Sequence, residues 1–424
     1  MRQTGAGLEK QETRMPLVEE PSPAPVPCAA DCSFDAAQAL LAAAAVPLGT
    51  ERVALRKAGR RVLAEPVLAA FDSPRRDTAA MDGVAVRERD VADGTRRLAV
   101  AGAAYPGSPF AGAAPAAAVR VTTGAALPAG TDRVVPVELL TETDAGVLLP
   151  ARLPDKRHVR PRASDFAAGA QVLAAGRILD ARALVVAAAA DAAEVVVWRR
   201  PRVHVIASGD ELVPPGHAAA GDALLPDSLS EAVQLLVRQW GGQPGGATRV
   251  PDDAGAITTA AQAALADCDI LVMAGGASRG ERDFARAGLK PLGLETDFAG
   301  VAMKPGKPVW HGRVGAAHVL GLPGNPTAAM TVARLFLVPL LTALEGRGFA
   351  AGLDWQPLPL AAPAEAAGPR EAFLCAARTP GGVAVLDRQS AASQAMLALA
   401  DLLVRRPAGA PALAAGERVE ALRF

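Results

Sequence analysis

Two lysines stand three positions apart in MKPGKP, residues 303–308, each followed by proline and with a glycine between them. Proline lacks the backbone donor a helix needs and biases the residue before it toward extended geometry, so Lys304 and Lys307 project from a stiff turn. Two ammonium groups held that close suit an anion. GLPGNPTAA offers a second anion contact: Asn325 suits a helix N-cap and Pro326 the first helical position, and such a helix start presents unpaired N–H groups and a positive dipole end. The same residues also read as a plain connection stiffened by proline. In DILVMAGGASRGERDF, Gly275, Gly276, Ser278 and Gly280 follow an apolar run and precede a helical one. Glycines there let the backbone approach a phosphate, and Ser278 adds a hydroxyl, with Arg279 and Asp283 close by. The pattern fits neither the dinucleotide fingerprint nor a P-loop, because Ala277 takes the place of the middle glycine and no Gly-Lys-Ser/Thr follows.

Carboxylates gather at two other junctions. SGDEL holds Asp210 and Glu211, and Asp227 stands just ahead of Ser228. Such groups hold Mg²⁺ by one or two oxygens while the ion keeps water or substrate phosphate as its other ligands. Aspartate is equally at home in turns and caps with no metal. Earlier in the chain, DTAAMDGVAVR carries Asp77, Thr78, Met81, Asp82 and Gly83, and VTTGAALPAG carries Thr122, Thr123 and Gly124 on a strand-ending turn. Hairpin chemistry accounts for these two stretches as well as a binding role does.

These residues need elements to place them. Residues 1–32, with PSPAPVP inside them, bury too little apolar surface to fold and read as a disordered leader. Ser33 caps a helix over residues 34–45 that Pro47 stops. From about 61 to 150 short β-like runs alternate with Gly, Pro and Asp, a β-rich insertion at 71–149. The apolar face within residues 169–200 is expected to pack on the 34–45 helix, making 33–70 and 150–200 one discontinuous helical, linking domain. From 201 to 346 strands alternate with helices, among them SLSEAVQLLVRQWGG with Ser228 and Glu231 at capping-box spacing and Leu229, Ala232, Val233, Leu236 and Trp240 on one face. Such alternation predicts βαβ units and a mostly parallel sheet, whose ligands sit beyond the carboxyl ends of the strands. Residues 347–424 return to short β runs. The fold class is multidomain α/β plus β.

Composition narrows the functions available. The 424 residues carry 44 Lys+Arg against 44 Asp+Glu, so no net charge draws a nucleic acid or acidic membrane from afar, and any anion site is local. No run reaches ~18 uninterrupted apolar residues and the N-terminus lacks a signal-like core, which predicts a cytoplasmic protein. The 4 cysteines are scattered. Cys28 and Cys32 have no second pair at zinc-ligand spacing.

Taken together, DTAAMDGVAVR, VTTGAALPAGTDRVVPVE, ASGDEL, AGGASRGERDF, MKPGKP and GLPGNPTAA, in this order, resemble the molybdopterin molybdenumtransferase family, which includes bacterial MoeA and the E domain of gephyrin. The resemblance covers most of residues 33–424. It implies an elongated homodimer with a molybdopterin-binding α/β domain, a C-terminal β-barrel, and an active cleft shared between the α/β domain of one subunit and the β-rich domain of the other. It implies the last step of molybdenum cofactor synthesis, in which adenylylated molybdopterin and molybdate react with Mg²⁺ to give cofactor and AMP. Neighbours in that pathway would be the molybdopterin adenylyltransferase and apo-molybdoenzymes. Carried onto this chain, Lys304 and Lys307 meet the anions, and Asp82, Asp227 and Asp210 are the metal or water-positioning carboxylates. Gly275, Gly276, Ser278, Asp283, Gly324 and Asn325 line the substrate pocket, with Thr123 and Arg370 as further cleft residues.

The chain departs from the family pattern at several points. Ala163, Ser164 and Asp165 stand where the family has Gly-Glu-Asp, Leu229 ends the Asp-Ser/Thr-Asn motif, Ala274 replaces a serine, and Gln389, Ser390 and Ala391 replace Gln-Gly-Ser. Each swap removes a polar or charged group. A catalytically weak paralogue that carries the cofactor is therefore the alternative expectation.

Overall fold

The computed structural model describes residues 32–92, 94–112, 116–275 and 284–424. The expected leader, apart from Cys32, lies outside them, as do Gly276, Ser278 and Asp283 of the glycine-rich junction.

Ser33 accepts the Ala36 N–H at 3.1 Å and opens the helix Phe34–Ala44, as its sequence predicts. The buried face of this helix does not meet the 169–200 segment. Phe34 instead packs between Phe336 and Phe373 in the largest core, and the 169–200 segment fills a separate core around Leu63, Leu179 and Val197. Periodicity identifies which face of a helix is buried but not what buries it. The second segment is also mixed, with strands Gln171–Leu173 and Glu194–Trp198 flanking the helix Ala181–Ala189.

The chain leaves this region and returns to it along paired strands. Thr50–Ala54 pairs with Glu194–Trp198, Val67–Leu68 with Gln171–Leu173, and Thr78–Ala79 with Val159–Arg160, all antiparallel. Between the outgoing and returning strands lies a four-stranded sheet in the order Val100–Ala104, Ala118–Val121, Gly83–Val86, Arg133–Pro136, beside a three-stranded one.

Residues 202–322 build a six-stranded mixed sheet. Its order is Gln243–Val250, Arg202–Ser208, Ile270–Ala274, Ala317–Leu322, Trp310–Val314, Glu295–Ala299. The first four strands run parallel, Trp310–Val314 pairs antiparallel to the fourth and Glu295–Ala299 antiparallel to it in turn, so the parallel expectation holds for one side of the sheet. Alternation sorts the side chains of the central strands: Val203, Val205, Ile270 and Val272 face the core holding Phe34, while Ile206, Leu271 and Met273 face the core under the helix Ala254–Leu265.

The helix over 326–344 runs through the first of these cores and is buried along its length. Its middle, Ala333–Leu337, widens to a π-turn. Pro339 explains this: it has no N–H to give, and its ring crowds the carbonyl four residues back, so the ladder opens there. After it, Glu371–Thr379, Leu402–Arg406, Arg418–Arg423 and Gln356–Pro359 form an antiparallel path, joined in parallel by Met303–Lys304. The lysine-rich turn is thereby stitched to the C-terminal sheet, a pairing that no local sequence signal announces.

Candidate functional site

Four parallel strands end side by side, and the residues that follow them line one pocket of about 530 Å³. Ser208 and Glu211 come from the first, Asp252 from the second, Ala274 and Gly275 from the third, and Gly324 and Asn325 from the fourth. Asp227 joins them from the start of the helix Ser230–Gln239.

Each lining position has a local cause. Gly275 takes φ 89°, a left-handed conformation open to glycine, and a Cβ there would run into the Ser208 carbonyl oxygen. Gly324 needs no such φ, and the nearest atom to a Cβ there is the Gly275 Cα at 4.0 Å, so both glycines keep the same space clear. Asn325 occupies the N-cap position with Pro326 next, as expected, yet its side chain makes no capping bond. Its amide is left facing the pocket region, and Pro326 lowers the number of N–H groups that need a partner.

The expected capping box at Ser228 and Glu231 is replaced. Asp227 Oδ1 accepts the N–H of Leu229 at 3.2 Å and of Ser230 at 3.0 Å, and Oδ2 faces Arg249 Nη1 at 3.4 Å. A carboxylate outcompetes a hydroxyl at a helix start because it also meets the positive end of the dipole. Burial opposes the charge on Asp227, but the bonds from Ser230, Leu229 and Arg249 outweigh it and hold the group below the usual carboxylate range.

Three carboxylates, Glu211, Asp227 and Asp252, line the pocket, with no lysine or arginine among its described lining residues. Asp252 also accepts the Ser208 hydroxyl. Glu211 stands with Asp210 in SGDEL, among the carboxylates the sequence marks, whereas Asp252 is not marked there, although it sits in PDDAG at a strand-to-helix junction like the others. Asp210 does not line the pocket; its Oδ1 accepts the Asp252 N–H at 3.1 Å and so braces that loop.

The remaining predicted residues stand in two other groups. Asp82 Oδ1 accepts the Thr123 N–H at 2.6 Å and hydroxyl at 2.8 Å, bonds that lower the Asp82 pKa and join the two motifs of the four-stranded sheet. Lys304 and Lys307 are exposed and lie outside this pocket. The Lys304 ammonium has no hydrogen bond or ion pair among the described residues, while its backbone pairs with the C-terminal sheet. Arg370 gives a long 3.4 Å bond to the Met303 carbonyl and thereby stands next to the lysine turn. Gly306 at φ 106° lets that turn press on Val332, whose Cγ2 would lie 2.5 Å from a Cβ. Val332 is six residues past Pro326, about 9 Å along the helix that starts at the pocket.

A parallel-stranded α/β unit with its pocket at the strand ends, in a chain that also carries an all-β region with a paired Asp and Thr, is the architecture of a multidomain ligand-binding protein. Family models agree: residues 32–190 match the MoeA N-terminal region (domain I and II), and residues 204–343 match the probable molybdopterin binding domain. Molybdopterin molybdenumtransferases from Haemophilus influenzae and Synechococcus elongatus are each 34% identical to this chain. The first comparison covers 71% of this chain and 74% of the relative, the second 92% and 98%. Two solved MoeA structures from Pyrococcus horikoshii superpose with TM-scores of 0.79 and 0.77, covering 93% of this chain and 99% and 100% of theirs, at 26% and 23% identity. The chain belongs to the molybdopterin molybdenumtransferase family, and its role lies in molybdenum cofactor biosynthesis.

Proposed function

We propose that the protein transfers molybdate onto adenylylated molybdopterin and releases AMP, completing the cofactor. The carrying observation is the pocket at the four strand ends, where Asp227, Gly275, Gly324 and Asn325 converge from distant stretches of sequence. Glycine backbone and the Asn325 helix start receive the pterin phosphate, and Gly276, Ser278 and Asp283 are further substrate-binding residues of this reading.

An acidic lining is a poor host for a polyanion unless a cation stands between them. The donor set, hard carboxylate oxygens with none of the soft ligands that select other metals, fits Mg²⁺. Among the described residues no three acidic or imidazole groups cluster closely enough to cage an ion by themselves, which suits an ion that shares its shell with substrate phosphate. Asp227 and Asp252 would hold it, and Asp210 would fix Asp252. The ion, when bound, neutralises charge at the bridging phosphate. Asp82, oriented by Thr123, positions water or molybdate oxygen, while Lys304, Lys307 and Arg370 bind the anionic end of the substrate.

In this reading the protein is a cytoplasmic homodimer, and the Asp82–Thr123 pair of one subunit faces the strand-end pocket of the other. The proposed domains are 33–70 with 150–200, 71–149, 201–346 and 347–424, with the helix Phe34–Ala44 packed against the third and fourth rather than the first, and the last closing as a β-barrel. An adenylyltransferase delivers the substrate and apo-molybdoenzymes collect the product. The test is to mix the purified protein with adenylylated molybdopterin, molybdate and Mg²⁺ and measure AMP. Absence of AMP with molybdopterin still bound would replace the transferase by a carrier, the reading favoured by Ser164 where the family supplies an acid.

A further inference from the structure

A second cavity, of about 710 Å³, opens where three parts of the fold meet. Arg60 and Ile178 come from the N-terminal region, Leu235, Leu236 and Trp240 from the end of the helix Ser230–Gln239, and Arg423 from the last strand. It shares no lining residue with the strand-end pocket. We propose that this cavity binds a small organic anion with a flat apolar body, the chemistry of an aromatic carboxylate.

Charge and shape both point there. Arg60, Arg347 and Arg423 line the cavity, and among the described residues no aspartate or glutamate side chain does. Arg60 spends one N–H on the Gln239 carbonyl at 2.8 Å, and Arg347 meets Glu345 at 3.1 Å. The Arg423 guanidinium has no hydrogen bond or ion pair among the described residues, although its backbone carbonyl is held by Arg334 at 2.6 Å. A planar fork fixed at its root and free at its head is suited to bidentate capture of a carboxylate. Apart from Gln239 the rest of the wall is apolar, and it includes Met330 and Leu235, which is left 50% exposed on the outer face of its helix. An inorganic anion would leave that apolar wall unused, and a neutral hydrocarbon would leave the Arg423 guanidinium unused. The volume falls within the range of about 300–1,000 Å³ usual for small-molecule sites. A ligand seated here touches all three parts of the fold at once and would brace them against one another.

The probe pair is 2-naphthoate and its neutral isostere 2-naphthamide, titrated calorimetrically into the full chain. Expected are one saturable site for 2-naphthoate, binding of 2-naphthamide weaker by about tenfold or more, and an approximately tenfold loss for 2-naphthoate in Arg423→Gln that Arg423→Lys partly restores. Leu235→Glu, which puts a carboxylate at the mouth, should weaken 2-naphthoate as well and leave the oligomeric state unchanged. Equal binding of the two probes, no effect of Arg423→Gln, or no saturable site would overturn the proposal. So would dissociation of a dimer by Leu235→Glu in sedimentation, which would give this face to a second copy of the chain.

Discussion

Gly275 lies against the carbonyl oxygen of Ser208 so closely that a Cβ could not fit between them. Two neighbouring parallel strands therefore end at a separation only glycine permits, and the pocket floor is set by backbone. Gly275→Ala should cost at least about 2 kcal/mol, from the left-handed φ and the clash together, read by urea unfolding. Gly324→Ala is the contrast: it should leave stability within about 0.5 kcal/mol while narrowing the pocket and weakening molybdopterin binding.

Asp227 couples the helix start to the site. Asp227→Asn keeps an oxygen for the Leu229 and Ser230 N–H groups but removes the charge that meets the dipole and Arg249. A stability loss of about 1 kcal/mol is expected. If Asp227 also serves the chemistry, AMP release should fall by about a hundredfold or more, a loss far beyond what that destabilisation explains. Unfolding midpoints and AMP release measured on the same preparation separate the two effects.

Acid should weaken the fold through a buried pair of histidines. His311 Nδ1 lies 2.8 Å from Asp297 Oδ2, and His311 Nε2 lies 3.1 Å from His318 Nδ1. Burial, reinforced by the neighbouring His311, pushes His318 down to about 4. An unfolded chain titrates the same group near 6.5, so between those values the unfolded state holds the proton and the folded state does not. The contribution is fully present above about 6.5 and is lost as pH falls toward 4, amounting to as much as roughly 3 kcal/mol. Denaturant unfolding at pH 7.5, 6 and 5 should show the loss, and His318→Gln should flatten it.

The turn at Ala163 carries local strain. Ala163 has φ 58°, a conformation costly for any residue with a Cβ, at the position where the family pattern has glycine. Ala163→Gly should raise stability by about 1 kcal/mol, visible as a higher melting temperature. Ser164→Glu should leave the melting temperature nearly unchanged and increase AMP release if the missing acid limits turnover.

The Lys304 ammonium is exposed and without a partner among the described residues, so the role of its charge is separable from folding. Lys304→Gln should shift stability by less than about 0.5 kcal/mol yet raise the KM for adenylylated molybdopterin, measured by steady-state AMP release.

Local chemistry made much of this legible in the sequence. The Ser33 cap, the Asn325–Pro326 helix start and the strand-to-glycine junctions are decided by residues within four or five positions of one another, and the chain alone determined them. Even the family could be read there, because six ordered motifs are short and local. What the tertiary structure decided is which distant pieces meet. Asp252 becomes a pocket residue only because Gln243–Val250 lies beside Arg202–Ser208, and Phe34 joins the main core only because Phe336 and Phe373 are there to receive it. Met303–Lys304 leaves the α/β sheet to pair with Glu371–Thr379 for the same kind of reason. Pairing between strands and packing between helices depend on side chains far apart in the chain, and no window of sequence contains both partners.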